Sequence, residues 1–178
     1  DPALYFRVPT DGDYTLEIKD AIYRGREDFV YRITLGRVPF ITGIFPLGGK
    51  AGDRTRVRVQ GWNLPATTVD LDGRDRAAGQ VPLTVGKGSR VSNPRPFALD
   101  TLDETVEREP NNRPERAQAV ELPLIVNGRI NREGDRDIFT FAGKAGQTVV
   151  AEVLARRLAS PLDSLLRITD EQGRQLAI

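Results

Sequence analysis

Glu107-Arg108-Glu109-Pro110-Asn111-Asn112 sets two carboxylates one residue apart and follows them with two carboxamides. Downstream, Gly134-Asp135-Arg136-Asp137 repeats the acidic spacing just before the alternating run Ile138-Phe139-Thr140-Phe141. Carboxylate and carboxamide oxygens are hard donors, and Ca²⁺ takes about six to eight of them in flexible geometry. The same residues admit a plainer reading: Asn111 and Asn112 cap a turn, and Asp135 and Asp137 sit in a solvated loop.

Other reactive chemistry is scarce. The chain has no His and no Cys, so neither a Ser-His-Asp nor a Cys-His arrangement can be built from it. Without Cys there is also no disulfide framework and no thiolate metal site, which fits a chain working where thiols would oxidise. Its serines are Ser89, Ser92, Ser160 and Ser164. A Ser–Lys dyad with Lys87 or Lys144 is conceivable, yet no serine lies in a nucleophile motif. Asp70 and Asp72 could imitate a glycosidase pair, but two acids on one strand face beside a turn read as solvated. The sequence therefore predicts no enzyme.

Charge points the same way. Twenty-six basic residues balance 25 acidic ones, so no global field draws the chain to nucleic acid or an anionic membrane. Arg54, Arg56 and Arg58 alternate with Thr55, Val57 and Val59 and project guanidinium groups from one strand face. That stripe could meet an acidic polymer, or it is the wet face of a half-buried strand that resists edge pairing. Base-stacking aromatics are absent nearby, which argues against nucleic acid. Trp62, behind Gly61, reads as core in preference to a sugar platform. Tyr5, Tyr14, Tyr23 and Tyr31 read as packing or rim residues. No apolar run approaches the length of a membrane span, and no signal peptide is visible. The absence of Met is expected of a processed chain or a part of something longer.

The elements that must position these residues are strands. Period-two alternation marks Leu4–Val8, Tyr14–Lys19, Phe29–Leu35, Arg54–Gln60, Val81–Val85, Ile125–Ile130, Ile138–Ala142, Thr148–Ala155 and Ser164–Thr169. Seventeen Gly and 12 Pro punctuate the chain as a sandwich requires. Glu115–Val120 could make a single helical turn. Composition divides the chain into 1–37, 38–100 and 101–178, the last opening with the acidic linker Asp103-Glu104-Thr105-Val106-Glu107.

The third piece resembles the bacterial pre-peptidase C-terminal (PPC) domain. The resemblance is carried by Glu109-Pro110-Asn111-Asn112, Val126-Asn127-Gly128-Arg129-Ile130, Gly134 through Phe141, Ala145-Gly146-Gln147, Ser160-Pro161-Leu162-Asp163-Ser164 and Thr169-Asp170-Glu171-Gln172-Gly173. The middle piece is similar to immunoglobulin-like IPT/TIG domains, through Pro39 to Gly49 and Val57-Arg58-Val59-Gln60-Gly61-Trp62-Asn63-Leu64. Residues 1–37 look like the closing strands of a PPC domain, through Asp11-Gly12-Asp13-Tyr14 and Phe29-Val30-Tyr31-Arg32-Ile33. These resemblances imply an all-β chain, an immunoglobulin-like sandwich joined to the opening part of a jelly-roll-like PPC sandwich. Residues 1–37 are then expected either to complete 101–178, in the same or a neighbouring chain, or to belong to a preceding domain. In secreted collagen-binding relatives of the PPC family, Ca²⁺ is held where the Glu-x-Glu-Pro-Asn segment meets the strand bearing Asp-x-Asp. By that resemblance the ligands here would be Glu107, Glu109, Asn111, Asn112, Asp135 and Asp137.

The function expected on these grounds is a non-enzymatic, exported binding or accessory module of a larger bacterial protein, extracellular or at the cell surface. Its partner would be a protein or polysaccharide there, with no nucleic acid and no membrane insertion. An alternative is a structural subunit whose copies join by strand complementation into a fibre or array. A third is a processed appendage of a secreted peptidase.

Overall fold

Strand formation is clearest where β-branched residues alternate with arginines. Along Arg54–Trp62, Val57 and Val59 are fully or almost fully buried while Arg54, Arg56 and Arg58 face water. A strand sends successive side chains to opposite faces, so this alternation leaves one face dry. The computed structural model describes residues 2–88 and 90–178. Its strands are β1 Phe40–Phe45, β2 Gly48–Lys50, β3 Arg54–Trp62, β4 Thr68–Asp72, β5 Gly79–Leu83, β6 Gly86–Lys87, β7 Arg90–Val91 and β8 Arg95–Asp100. After these come β9 Glu104–Val106, β10 Gln118–Ala119, β11 Ile125–Asn127, β12 Phe139–Thr140, β13 Ile168–Thr169 and β14 Gln175–Ala177. The chain is all-β, as the alternation predicts.

Two three-stranded sheets, ordered β1-β3-β4 and β2-β8-β5, share one core. Ile41, Val57, Val59 and Leu71 come from the first sheet, and Leu83, Phe97 and Leu99 from the second. Phe97 is fully buried and is the largest side chain at the centre. Gly61 has φ +155, and a Cβ there would lie 1.9 Å from the Phe40 carbonyl oxygen, so only glycine lets β1 and β3 close on each other. On the outer face Arg54 pairs with Asp72 at 3.3 Å and Arg56 with Asp70 at 3.2 Å. The stripe is thus an exposed cross-strand ion-pair ladder, and Asp70 and Asp72 serve it.

Strand β8 is absent from the sequence reading, because Asn93-Pro94-Arg95-Pro96 looks like a breaker. Pro96 is tolerated for a positional reason. It lies opposite Pro82 of β5, and β2 pairs only with Ala98–Asp100, so no ladder bond is asked of its missing N–H.

Beyond residue 100 the strands are short. Parallel β9 and β11 pair, as do parallel β10 and β12, and β13 with β14. The expected helical turn is a 3₁₀ turn at Pro114–Arg116. Six expected strands need correction. Leu4–Val8, Tyr14–Lys19 and Phe29–Leu35 enter no hydrogen-bonded ladder among the described residues, and Thr148–Ala155 enters none either. Ile138–Ala142 and Ser164–Thr169 pair only over Phe139–Thr140 and Ile168–Thr169. Alternation gives a segment the means to be a strand, but a ladder also needs a neighbouring edge. Among the described residues no ladder joins 2–37 to 101–178.

Truncating Phe97 should leave a cavity that the two sheets cannot collapse around. Phe97→Ala is expected to cost about 3–5 kcal/mol, whereas Arg56→Ala on the exposed ladder should cost under about 1 kcal/mol. Urea denaturation of both variants checks the contrast.

Candidate cation site at the module junction

The acidic linker is pinned before it reaches Glu107. Asp100 Oδ1 accepts the N–H groups of Thr101 and Leu102 at 2.7 and 3.1 Å, turning the chain out of β8. Strand β9 then lies beside β11, the Ile125 N–H bonds to the Asp103 carbonyl at 2.9 Å, and the Glu107 N–H bonds to the Asn127 carbonyl at 3.0 Å. Buried Gln118 fixes the residues on either side of Glu107. Its Oε1 accepts the Arg108 N–H at 2.7 Å, and its Nε2 donates to the Val106 carbonyl at 3.5 Å.

Asp137 arrives by a separate route. The β10–β12 pairing brings Ile138 alongside, where its N–H bonds to the Asn111 carbonyl at 3.2 Å and its carbonyl accepts the Gln118 N–H at 3.0 Å. Glu109 is held in turn, its Oε2 accepting the Asn111 N–H at 3.1 Å. The outcome is that Glu107, Glu109 and Asp137 each place a carboxylate oxygen within 4.8 Å of the others.

Several polar atoms in this cluster are buried without a partner: Glu107 Oε2, Asp137 Oδ1, and both amide atoms of Asn111. Asn111 is fully buried. A buried polar group with no hydrogen bond costs free energy, so four such atoms call for partners. Space is reserved as well. A Cβ on Gly128 would stand 2.9 Å from Glu107 Oε2 and 3.0 Å from Asp137 Oδ2, so glycine keeps the cradle open. Burial, followed by the nearness of Asp137, raises Glu107 to about 7. Burial also raises Asp137, with Asp135 and Glu109 adding repulsion.

The three carboxylates form an all-oxygen donor set that fits a hard divalent cation, and the sequence supplies no thiolate or imidazole to favour a softer one. Of the six residues expected as ligands, the carboxylates of Glu107, Glu109 and Asp137 come together here, and buried Asn111 is tied beside them through its main chain. Asp135 is not one of the three clustered carboxylates. The Asn112 amide donates to Asp135 Oδ1, and Asp135 Oδ2 accepts the Asn131 N–H at 2.6 Å, so the pair fastens the loop leading to Asp137.

The cluster is joined to the first sandwich. Glu107 Oε1 accepts the Arg129 N–H at 2.7 Å. The Arg129 guanidinium carbon lies 3.6 Å from the centre of the Phe45 ring at the end of β1, close enough for a cation–π contact. Asn127 is buried and bridges both parts: its Oδ1 accepts the Leu47 N–H at 3.0 Å, and its Nδ2 donates to Glu104 Oε2 at 2.7 Å. Sequence reasoning gave Asn127, Gly128, Arg129 and Gln118 no role at this site. The Asn-Gly-Arg order between two strands is the one signal that could have pointed to them.

Two of the candidate serines have structural partners. Buried Ser92 accepts the Val85 N–H at 2.9 Å and donates to the Asn93 carbonyl at 2.9 Å. Ser160 Oγ accepts the Leu162 N–H at 3.4 Å. Ser89 lies outside the described residues. Trp62 is half-buried and stacks with Phe40 and with Tyr5, each at 5.4 Å between ring centres. Among the described residues no helix is long and apolar enough to cross a membrane.

The raised carboxyl groups fix the sign of a pH dependence. Without a cation, folded Glu107 keeps a proton up to about pH 7, whereas the unfolded chain loses it near 4.5. Stability should therefore fall as pH rises from about 4.5 through about 7 and level off above. A cation must displace that proton, so its affinity should climb over the same window. Thermal melts in EDTA across this range are expected to show the fall, and Glu107→Gln should flatten it.

No family model matches the chain, and no solved structure matches it. Over 134 residues it is 32% identical to a probable subtilase-type serine protease of Deinococcus radiodurans, an alignment that takes in 68% of this chain and 18% of that protein. The chain is thus similar to under a fifth of a protease-type relative.

Proposed function

We propose that this chain is a non-catalytic accessory module of an exported, subtilase-type protease, and that Ca²⁺ at Glu107, Glu109, Asn111 and Asp137 locks its two sandwiches together. In this reading residues 38–100 form the immunoglobulin-like domain and residues from 101 onward belong to a PPC-type sandwich. The observation that carries it is the convergence of the Glu107, Glu109 and Asp137 carboxylates, with Glu107 Oε2, Asp137 Oδ1 and the amide of fully buried Asn111 left unpartnered.

Three lines support the rest. The similarity to a probable subtilase-type serine protease supplies the protease context. The lack of His and Cys removes the usual bases and thiol nucleophiles, which suits an accessory role. An oxygen-only site with mixed burial suits the millimolar Ca²⁺ found outside cells. Its binding partner would be a protein or polysaccharide at the cell surface.

When bound, Ca²⁺ supplies charge neutralisation that lets the three carboxylates stay ionised together. The chain does the remainder. Gln118 and Asn127 hold the linker in register, Gly128 leaves the opening, and Arg129 carries the constraint to Phe45.

The test is a Ca²⁺ titration followed by thermal denaturation and calorimetry. At a concentration about 100 times Kd, a ligand that binds only the folded state adds about 2.7 kcal/mol, a shift of several degrees in Tm. Millimolar Ca²⁺ should raise Tm, EDTA should reverse it, and Asp137→Asn should remove most of the response. An unchanged Tm at saturating Ca²⁺ would sink the cation reading. Labelling by an active-site serine probe would sink the accessory one.

A further inference from the structure

The ion-pair ladder on the outer face of the first sheet stops one rung short. Arg54 and Arg56 of β3 face Asp72 and Asp70 across the β4 pairing, but Arg58 faces Thr68. On its other side, in β1, Arg58 stands directly opposite Phe45. Directly opposed residues of an antiparallel pair point to one face with Cβ atoms about 5 Å apart, so Arg58, Phe45 and Thr68 share a patch. A second guanidinium completes it. Arg129 comes from the segment after β11 and lies over the Phe45 ring, 3.6 Å from its centre.

Among the described residues neither Arg58 nor Arg129 has an acid within ion-pair distance. Arg58 is exposed and Arg129 half-buried. Burial, followed by the nearness of Arg58, holds the Arg129 guanidinium below its ordinary range, with Glu107 opposing. Glu107 does not pair with that charge, and its Oε1 accepts the Arg129 main-chain N–H instead. This bond and the Phe45 ring hold Arg129 at both ends. Two like charges are thus kept side by side without a paired acid.

We propose that Arg58 and Arg129 form an oxyanion site on the outer face of the first sheet, and that it takes a dianionic phosphate group. Two guanidinium charges are matched by one group of charge about −2, whereas a carboxylate would leave one charge unmet. Each planar fork gives two parallel N–H bonds to phosphate oxygens, and the exposed Thr68 hydroxyl offers a further donor on the same face. The rest of the arginine stripe takes no part, because Arg54 and Arg56 are spent on Asp72 and Asp70. The site therefore suits a single phosphate and not a phosphate track. Free phosphate and a phosphate ester share this chemistry, and neither needs the carboxylate cluster to hold a cation.

The test is titration of the full chain in EDTA, at constant ionic strength, with inorganic phosphate and with phosphoserine. Calorimetry and the side-chain Nε–H resonances of the arginines read the binding. Saturation at millimolar concentration is expected, with the Arg58 and Arg129 resonances moving and those of Arg54 and Arg56 still. Saturation by phosphoserine identifies an ester as the source, and saturation by inorganic phosphate alone a free anion; both support the site. Arg58→Gln should weaken binding about tenfold, the worth of one charge-assisted hydrogen bond. Arg129→Lys keeps the charge but loses the stacked fork, so it should weaken binding as well. Arg56→Gln should leave binding unchanged. A Tm near that of the wild type without phosphate reports that each variant is folded. No saturation by either probe overturns the proposal. An equal loss in Arg56→Gln and Arg58→Gln overturns it too, since that marks diffuse attraction to the stripe.

Discussion

Like charges held together away from water set the terms around Glu107 and Asp137. Glu107 and Asp137 are brought close by main-chain pairing that pays no regard to their repulsion. Glu107 follows β9 against β11, and Asp137 precedes β12 against β10. A proton or a cation must resolve the conflict, which is why burial raises both carboxyl groups. Gly128, Asn111 and Gln118 make sense only around that point. One leaves room, one is buried with its amide unused, and one holds the backbone on both sides of Glu107.

The same residues reach into the first sandwich. Asn127 gives one end of its amide to the Leu47 N–H and the other to Glu104, and burial lifts Glu104 while the Asn127 bond opposes that rise. Lys50 and Asp103 add an exposed ion pair at 2.5 Å, which salt would screen and which contributes little by itself. Buried amide bonds and the Arg129–Phe45 contact are the stronger ties, because water does not compete for them as freely.

Away from the junction the chain divides by how well its strands find neighbours. Residues 40–100 form two sheets over one dry core, and Arg54 and Arg56 on their outer face are matched to acids across the β3–β4 pair. Residues 2–37 and the stretch beyond 138 have comparable apolar content without comparable pairing. Hydrophobic side chains alone do not make a sheet. The backbone must also find edges to bond, and among the described residues these segments find few.

Much of the fold was legible because strand character is local. Val57 and Val59 between arginines announce a half-buried strand at any place in a chain, and the lack of His and Cys closes off whole classes of chemistry by composition alone. The oxygen-rich residues were legible as a set for the same reason. Which of them converge was not. Asn112 and Asp135 carry the same donor atoms as Asn111 and Asp137, yet the chain turns them onto each other. Strand β8 was hidden by its prolines, whose harmlessness depends on where β2 stops. The cost of a missing N–H, and the meeting of acids distant in sequence, are both decided by what lies across a ladder, which is a property of the fold and not of the local residues.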